Sequence, residues 1–414
     1  MILFVGHVLP FPENTGTKIR LANLLRAASE VGPVQFVGYW DDGPPEDPEN
    51  TRGIAALRAL SPDAVILKRD LPWWPDLKRD DLHWAFEHYV RRSGAFVFRE
   101  YACESLVREV RRLARDADVI WVERLWMAEH LPELADRIIV DIDDLESIKL
   151  KRKMQSWKLT LPVLAAWYDC WKTARTERAA ARKYLRSIIC SEGDLAFWGT
   201  PTPRTKERLW VIPNGFNDEL LELPLPEIDV PRVIFVGTLK YWPNAEAVIM
   251  FVRSILPRLL ARHPALEFWI VGRSPVDEVL ALDNGSSVRV FADVPDVIDY
   301  VRQAAVSVVP LRVGGGTRLK ILESIGAGVP VVSTPVGIEG IDLQPETHFL
   351  QAVTPADFAD QVSRLIDDPQ LRKQQVIAAR GEIARRYGWG AIRRDVTAKL
   401  LALRGAGAAP STPP

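Results

Sequence analysis

Residues 312–340 read RVGGGTRLKILESIGAGVPVVSTPVGIEG, and this string predicts a glycine loop, a helix and a buried strand in the second half of the chain. It follows a predicted buried strand at 306–310 and begins with a loop of three consecutive glycines. A helix is predicted at 317–325, capped by Thr317 or Gly316. Glycines let a ligand approach the backbone closely, and free N–H groups at a helix start attract phosphate. The string therefore predicts an anion-binding site at a strand-loop-helix turn.

Three charged side chains, Arg318, Lys320 and Glu323, lie on this predicted helix. The two cations are near the positive end of the helix dipole, which costs roughly a few tenths of a kcal/mol unless an anion is bound. The Glu323 carboxylate can accept hydrogen bonds from two neighbouring ribose hydroxyls. The alternative is a generic glycine-rich turn in which both cations are solvated and Glu323 pairs with one of them.

Short β-rich apolar segments alternate with helical patterns along the chain, which is typical of parallel sheets wound by helices. In the first half, strands are predicted at 2–6, 34–39, 64–67, 119–122, 138–142 and 188–190. In the second half, strands are predicted at 233–236, 266–271, 288–291, 305–309 and 329–333. Each set is large enough for its own sheet, so the predicted fold class is α/β with two doubly wound domains.

The domain boundaries are placed by turn-forming residues. A chain of 414 residues is long enough for two or three domains. The VIPNGFN turn and the Pro224/Pro226 pair are suited to a linker, so the domains are predicted at 1–212 and 213–387. A last helix is predicted at 388–404, which in folds of this kind often crosses back to the first domain, followed by a disordered tail at 405–414.

The composition is that of an ordinary globular protein, with 47% apolar residues, 26% charged residues and a formal net charge of -1. This balance gives no general attraction to nucleic acid, and no nucleic-acid partner is expected. Cys103, Cys170 and Cys190 are widely spaced and predict neither a disulfide framework nor a zinc site. No signal peptide or membrane-spanning run is recognised, which predicts a cytoplasmic protein.

The string at 312–340 resembles the donor-binding motif of family 4 glycosyltransferases, which belong to the group 1 glycosyltransferases. These are retaining enzymes of the GT-B fold, in which two Rossmann-like domains face a central cleft. VIPNGFN at 211–217 and FVGTLKYWPN at 235–244 match two further landmarks of that family. The exopolysaccharide-associated subgroup is the most similar, because it shares HVLPFPENTGTKIR at 7–20 and VDIDDLESIK at 140–149.

The resemblance implies transfer of a sugar from a UDP-, GDP- or other nucleotide sugar to a glycan or polyprenyl-linked acceptor, without a cofactor or bound metal. Glu323 matches the second acid of the family's Glu-x7-Glu pair, which holds the donor ribose. The first acid falls at Gly315, so backbone amides of Gly315, Gly316 and Thr317 are expected to take its place. Further donor contacts are implied at Gly237, Lys240, Arg273, Asp293 and Val294. Because Thr238 replaces a usual arginine, Lys240 is expected to share the diphosphate charge with Arg318 and Lys320.

A second strand-loop-helix turn lies in the first domain, at PFPENTGTKIR, residues 10–20. The resemblance implies that Gly16 approaches the donor phosphates, and that Thr17 and Lys18 line the acceptor side. Lys18 and Arg20 are equally well explained as cations on a helix surface.

The end of the predicted strand at 119–122 carries Glu123 and Arg124 where many family members place a histidine, so both are acceptor-side candidates. The Asp141-x-Asp143 pair is a conceivable metal ligand set. Acceptor contact or helix capping by Asp143 and Asp144 is favoured over a metal, because enzymes of this fold usually neutralise the diphosphate with cations and amides.

Residues 147–186 are basic and contain interleaved aromatic side chains. Such helices bind anionic membrane surfaces, here the inner face of the cell membrane, or are simply solvated helices with a buried aromatic stripe. Two other functions remain open, namely a nucleotide-sugar epimerase of the same fold and a non-catalytic nucleotide-sugar-binding protein. An epimerase is disfavoured because it needs histidines and carboxylates around the sugar, and none of the six histidines lies in 312–340.

Overall fold

The structure is a computed structural model that describes residues 1–40, 48–68, 82–91, 94–96, 98, 104–154, 160–199, 201–228, 230–313 and 316–407. The chain divides into two compact units. The first unit comprises Met1–Ile212 together with the residues from Arg393 onward, and the second comprises Pro213–Ile392.

The first unit contains a parallel sheet of seven strands, each a short apolar segment. These are β1 (Ile2–Gly6), β2 (Val34–Trp40), β3 (Val65–Lys68), β4 (Val119–Glu123), β5 (Ile138–Asp143), β6 (Arg186–Ile189) and β7 (Leu209–Val211). Their order is β3-β2-β1-β4-β5-β6-β7, and Ile2 lies between Val34 and Val119. The inner strands are buried on both faces, which explains their continuous apolar sequences.

The second unit contains a parallel sheet of six strands. These are β8 (Arg232–Val236), β9 (Glu267–Gly272), β10 (Val288–Ala292), β11 (Val306–Val309), β12 (Val331–Ser333) and β13 (Leu350–Gln351). Their order is β10-β9-β8-β11-β12-β13. The prediction of one parallel sheet in each half is therefore confirmed. The sequence does not predict β7 and β13, because three and two residues are too short to show a strand pattern.

Helices connect these strands. In the first unit the α-helices are Gly16–Val31, Pro48–Leu60, Leu82–Ala85, Glu104–Leu113, Leu125–Ala128, Glu146–Met154, Leu161–Lys183 and Pro203–Arg208, with a π-helical segment at Phe86–Arg91. In the second unit they are Trp242–Met250, Leu256–Leu260, Asp277–Leu280, Ile298–Val301, Leu319–Gly326, Pro335–Ile338, Pro355–Asp367 and Pro369–Arg386, with a π-helical segment at Phe251–Ile255. Within the described ranges no helix is both long and apolar enough to cross a bilayer.

The last helix, Trp389–Gly407, belongs to both units, because its residues from Arg393 onward are grouped with the first. There Arg404 donates a hydrogen bond to the Val31 carbonyl at 2.7 Å. Residues 405–407 continue this helix, although the sequence predicts that a disordered tail begins at 405. The remainder of the predicted tail, 408–414, lies outside the described residues.

Each sheet has a switch point, where consecutive strands in the chain wind in opposite directions. In the first unit it lies between β1 and β4, and in the second between β8 and β11. In doubly wound sheets, ligands bind outside the carboxyl ends of the strands at this point. The topology therefore directs attention to the residues that follow β1, β4, β8 and β11.

A buried carboxyl group links two helices of the first unit. Glu177, on the Leu161–Lys183 helix, is fully buried and accepts hydrogen bonds from the Ser147 backbone N–H at 3.2 Å and from the Ser147 hydroxyl. Burial raises the pKa of Glu177 to about 7, although both hydrogen bonds act in the opposite direction. Glu177 therefore changes charge inside the fold near neutral pH.

Replacing this residue, Glu177→Gln, is expected to change how stability depends on pH. Because the folded-state pKa of Glu177 lies above the unfolded value, the wild type loses free energy of unfolding as pH rises from about 4.5 to 7. The neutral amide carries no such loss, so the variant should gain about 2–3 kcal/mol relative to the wild type between pH 5 and pH 8. Urea unfolding at both pH values measures this shift, and an unchanged difference would contradict the assignment.

Candidate functional site

The carboxyl ends of four strands form the candidate site in the second unit. Gly237 follows β8, Arg273 follows β9, Asp293 follows β10, and the 312–316 loop follows β11. The Arg273 carbonyl accepts a hydrogen bond from the Leu239 backbone N–H at 2.7 Å, which joins the loops after β8 and β9. The residues predicted to bind a nucleotide sugar therefore follow neighbouring strands at one edge of the sheet.

Lys320 lies at the β8/β11 switch point. Its Nζ donates a hydrogen bond to Asn244 Oδ1 at 3.0 Å and lies 4.0 Å from the centre of the Phe235 ring. Burial, followed by the nearby Arg318 charge, lowers the pKa of Lys320 to about 7, while Glu323 acts in the opposite direction. The surroundings of Lys320 therefore destabilise its charged form. A bound anion would stabilise that form again.

Gly237 leaves room for the side chains of Lys320 and Asn244. A Cβ atom at position 237 would lie 2.8 Å from Lys320 Nζ and 2.8 Å from Asn244 Nδ2. Asn244 in turn donates a hydrogen bond to the Thr238 carbonyl at 2.9 Å. Asn244 thus fixes both the loop after β8 and the Lys320 ammonium, a role that the sequence analysis did not assign. Asn244 is the last residue of FVGTLKYWPN and lies in the first turn of the Trp242–Met250 helix, which was the available signal.

Arg318 and Glu323 complete the charged group around Lys320. Arg318 is buried and donates from Nη1 to the Gly316 carbonyl, which anchors the guanidinium to the glycine loop. Burial raises the pKa of Glu323, and Lys320 opposes this rise. Two cationic side chains and one carboxyl group at a helix start give the site an excess of cationic groups, which suits a phosphate-bearing ligand.

The helix at this site starts later than the sequence predicts. It begins at Leu319 rather than Thr317, and Arg318 precedes it in a non-helical conformation with ψ 81°. Gly316 has φ +76°, a left-handed conformation that favours glycine, and the chain enters the helix only after it. Thr317 is half-buried and lies in this connection. Gly315, predicted to replace the sugar-binding acid, lies outside the described residues.

The remaining predicted donor residues lie in the loops that follow β8, β9 and β10. Lys240 and Arg273 are exposed loop residues. Asp293 has φ +50° and its Oδ1 accepts a hydrogen bond from the Ser274 backbone N–H at 2.9 Å. Val294 packs against the apolar cluster around Trp269. These contacts order the loops after β9 and β10, and the assignment of the nucleotide base to this position stays a prediction.

The switch point of the first unit carries a histidine that the sequence analysis missed. His7 follows β1, and its Nδ1 is hydrogen-bonded to Oε2 of Glu123 at the end of β4. The same carboxylate accepts the His7 backbone N–H at 3.1 Å, and the ring packs edge-on against Trp126 with centroids 5.8 Å apart. The position of His7 directly after the first strand was the signal that identifies it.

Arg124 is held beside this pair in a strained conformation. Its φ is +76°, which is unfavourable for a side chain of this size, and Asp143 has φ +58°. Arg124 Nη1 lies 2.9 Å from Asp143 Oδ2, and its Nε lies 3.5 Å from Glu123 Oε1. Glu123 and Arg124, both predicted to line the acceptor side, are therefore brought together with His7.

A buried ion pair lies under this group. Arg20 donates from Nε and Nη2 to the two carboxylate oxygens of Asp141, each at 2.9 Å, and from Nη1 to the Ile212 carbonyl at 3.1 Å. Asp143 Oδ1 also accepts from Cys190 Sγ at 3.1 Å. Asp141 thus pairs with Arg20, whereas Asp143 lies between two arginines, 2.9 Å from Arg124 Nη1 and 4.0 Å from Arg20 Nε. The interpretation of Arg20 as a surface cation is wrong, because Arg20 is buried and pairs with the buried Asp141.

The predicted glycine loop of the first unit begins its helix earlier than expected. Gly16 and Thr17 are the first two residues of the Gly16–Val31 helix, and Thr15 is its cap, accepting from the Lys18 backbone N–H at 3.4 Å. Gly16 is exposed, whereas Lys18 is buried, so the surface interpretation of Lys18 is also wrong.

Asp144, the last of the predicted acceptor-side residues, follows β5. Its carboxylate lies 3.7 Å from Lys149 Nζ, and its pKa is raised by burial and by Asp143.

Comparison with known families identifies part of the second unit. A sequence profile described as Glycosyl transferases group 1 matches residues 230–368, about a third of the chain. The phosphatidyl-myo-inositol mannosyltransferase of Mycolicibacterium smegmatis is 28% identical over 207 residues, which cover 47% of this chain and 52% of the relative. The chain therefore spans about half the length of this curated relative. These matches confirm the resemblance to group 1 glycosyltransferases, and the finer placement in family 4 and the exopolysaccharide subgroup stays a prediction.

Solved structures resemble the chain over nearly its whole length. Sucrose-phosphate synthase from Thermosynechococcus elongatus has a TM-score of 0.66 at 17% identity, covering 98% of this chain and 99% of that structure. Anabaena HepE in complex with UDP and glucose has a TM-score of 0.62 at 13% identity, covering 97% of this chain and 99% of that structure. At these identities the likeness concerns the fold, and the predicted GT-B fold class is confirmed.

Proposed function

We propose that the protein is a retaining glycosyltransferase that moves a sugar from a nucleoside-diphosphate sugar to a glycan or polyprenyl-linked glycan in cell-surface polysaccharide synthesis. The observation that carries this proposal is the placement of Lys320, Arg318 and Glu323 at the β8/β11 switch point, beside Gly237. The group 1 match over residues 230–368 and the GT-B fold support it.

The donor is assigned to the second unit. Lys320, Arg318 and Lys240 stabilise the charge that develops on the departing nucleoside diphosphate, and Glu323 binds the ribose hydroxyls. Prepositioned donors of this kind contribute about 3–4 kcal/mol each in a site that excludes water. Gly237 and the loop around Gly316 let the phosphates approach the backbone, while the loops that carry Arg273, Asp293 and Val294 hold the base.

The acceptor is assigned to the first unit. There the His7–Glu123 pair and Arg124 offer hydrogen-bond donors and acceptors at the β1/β4 switch point, which suits the hydroxyl-rich surface of a glycan. Thr17, Lys18 and Asp144 belong to the same acceptor assignment, whereas Gly16 is assigned to the donor phosphates. We place the protein in the cytoplasm, in contact with the inner membrane face, where a polyprenyl-linked acceptor is found.

The donor assignment is tested through the ribose. In the wild type, UDP or GDP should raise the melting temperature more than its 2′-deoxy analogue, because Glu323 bonds both ribose hydroxyls. Glu323→Gln weakens these charge-assisted bonds and should reduce nucleotide affinity about tenfold, with most of the preference for the ribonucleotide lost. Exposed Glu278 supplies the control, since Glu278→Gln should leave the affinity and the preference unchanged.

Turnover assays on the wild-type protein distinguish a transferase from an epimerase and from a binding protein. A transferase releases free nucleoside diphosphate only when a lipid-pyrophosphate glycan acceptor is added. An epimerase would instead convert the nucleotide sugar without an acceptor, and a binding protein would shift its melting temperature with no turnover on any donor and acceptor pair. Either of these two results would overturn the proposal.

A further inference from the structure

The long helix Leu161–Lys183 exposes one continuous face. Its exposed positions recur every three or four residues, which places them along a single line on the helix surface. We call this line the outer stripe, and it consists of Leu161, Leu164, Tyr168, Trp171, Arg175, Arg178 and Arg182. The opposite side of the helix packs into the first unit, where Ala165 and Ala166 contact the cluster around Tyr89.

The first half of the outer stripe is apolar. Leu161 is 63% exposed, Leu164 49%, Tyr168 46% and Trp171 52%. These four side chains extend over about 15 Å of helix, whereas exposed large apolar residues are usually scattered singly. Two more, Phe86 and Val90, lie on the segment that packs against this helix. Among the described residues of the first unit, Leu401 is the only large apolar side chain exposed elsewhere.

The second half of the outer stripe is cationic. Arg175, Arg178 and Arg182 are exposed, and Arg175 lies over the Trp171 ring at 5.7 Å. The two acidic residues of this helix, Asp169 and Glu177, are both buried on its inner side. Neither carboxylate of this helix therefore lies on the outer stripe, whose charged side chains are all arginines.

We infer that the outer stripe docks the protein on an anionic membrane surface, with Leu161, Leu164 and Trp171 entering the lipid and the arginines binding phosphate headgroups. Tyr168 and Trp171 stack with centroids 5.8 Å apart at the junction of the two halves, and such rings prefer the boundary between lipid tails and water. This inference deepens the proposed function, since it supplies the membrane contact that a polyprenyl-linked acceptor requires.

The charge pattern favours a membrane over a second copy of the chain. Two outer stripes in parallel would bring six arginines together, and two antiparallel stripes would bury each arginine half against an apolar half. An anionic bilayer offers hydrocarbon to one half and phosphate to the other. The length of the apolar half and the clustered arginines therefore match a lipid surface.

Vesicle sedimentation of the full chain tests the inference. The wild type should bind phosphatidylcholine vesicles containing 30% phosphatidylglycerol at 0.1 M salt, and should bind pure phosphatidylcholine at least tenfold more weakly. The triple variant Arg175→Gln, Arg178→Gln, Arg182→Gln should reduce binding to the anionic vesicles on the order of 100-fold, at about fivefold for each arginine. The double variant Leu164→Ser, Trp171→Ser should reduce it at least tenfold while keeping the dependence on anionic lipid.

A matched control removes three exposed arginines elsewhere in the same unit. Arg111→Gln, Arg112→Gln, Arg115→Gln changes the net charge equally and should reduce vesicle binding less than fivefold. Equal losses in the two triple variants, or equal binding of the wild type to both vesicle types, would overturn the inference. So would a dimer in light scattering that disappears in the Leu164→Ser, Trp171→Ser variant. Vesicle binding needs neither donor nor acceptor, so the membrane inference and the transferase proposal can fail independently. Loss of vesicle binding with intact release of nucleoside diphosphate refutes the first, and vesicle binding without that release refutes the second.

Discussion

Lys320→Met is expected to weaken nucleotide binding about 100-fold while making the folded chain more stable. The ammonium is enclosed by Asn244, the Phe235 ring and Gly237, where burial lowers the pKa of Lys320 to about 7. Below pH 7 the folded state must hold a charge that it solvates poorly. Methionine has a similar length without that charge, so the free energy of unfolding should rise by about 1–2 kcal/mol at pH 6.

The loss of binding follows from the same position. If Lys320 neutralises the diphosphate, its removal should weaken binding of UDP or GDP about 100-fold, since hydrogen bonds to charged groups contribute about 1.5–3 kcal/mol. Titration calorimetry measures this loss, and thermal unfolding without ligand measures the gain in stability. The opposite signs of the two effects distinguish a functional lysine from one that supports the fold.

The pH dependence of binding gives a second measurement on this lysine. The free site must take up a proton when an anion binds above pH 7, because the pKa of Lys320 is about 7 before binding. Wild-type affinity for the diphosphate should therefore fall up to tenfold per pH unit above 7, and Lys320→Met should lack this fall. Lys240→Met removes an equal charge from an exposed loop and should leave stability unchanged and weaken binding less than tenfold. A destabilised Lys320→Met protein with normal affinity would refute the assignment.

The local sequence pattern was sufficient for eleven of the thirteen described strands, because buried parallel strands are continuous apolar segments between helical patterns. It was less precise at the start of the Leu319–Gly326 helix. Thr317 is an acceptable cap by residue type, but Gly316 at φ +76° and the non-helical Arg318 delay the first turn. The conformation of a glycine loop depends on what surrounds it, and residue type alone does not specify it.

The charged groups of the first unit could not be predicted from local pattern, because their partners are distant in sequence. His7 and Glu123 are 116 residues apart, and Arg20 and Asp141 are 121 apart. A single sequence shows each of these residues beside a strand or in a helix, but it does not show which carboxylate faces which cation. Parallel strand order brings them together, and that order depends on long-range packing.

Arg20→Ala is expected to destabilise the first unit by about 3–5 kcal/mol, because it leaves the Asp141 carboxylate buried without its partner. Arg20 and Asp141 are both almost inaccessible to solvent and form two parallel hydrogen bonds of 2.9 Å. Arg20 also donates to the Ile212 carbonyl, so the variant leaves that group unsatisfied as well. Urea unfolding at pH 7 measures the loss.

A second variant separates charge from packing. In Arg20→Met, Asp141→Leu, both charges are replaced by apolar side chains, so most of the loss should be recovered and the double variant should lie within about 2 kcal/mol of the wild type. Arg26 on the same helix provides the control, since its pair with Glu13 is partly exposed and Arg26→Ala should cost less than about 1 kcal/mol. If Arg20→Ala is no more harmful than Arg26→Ala, Asp141 is not held ionised by Arg20. If the double variant is as unstable as Arg20→Ala, the arginine acts through its shape and its bond to Ile212 rather than through its charge.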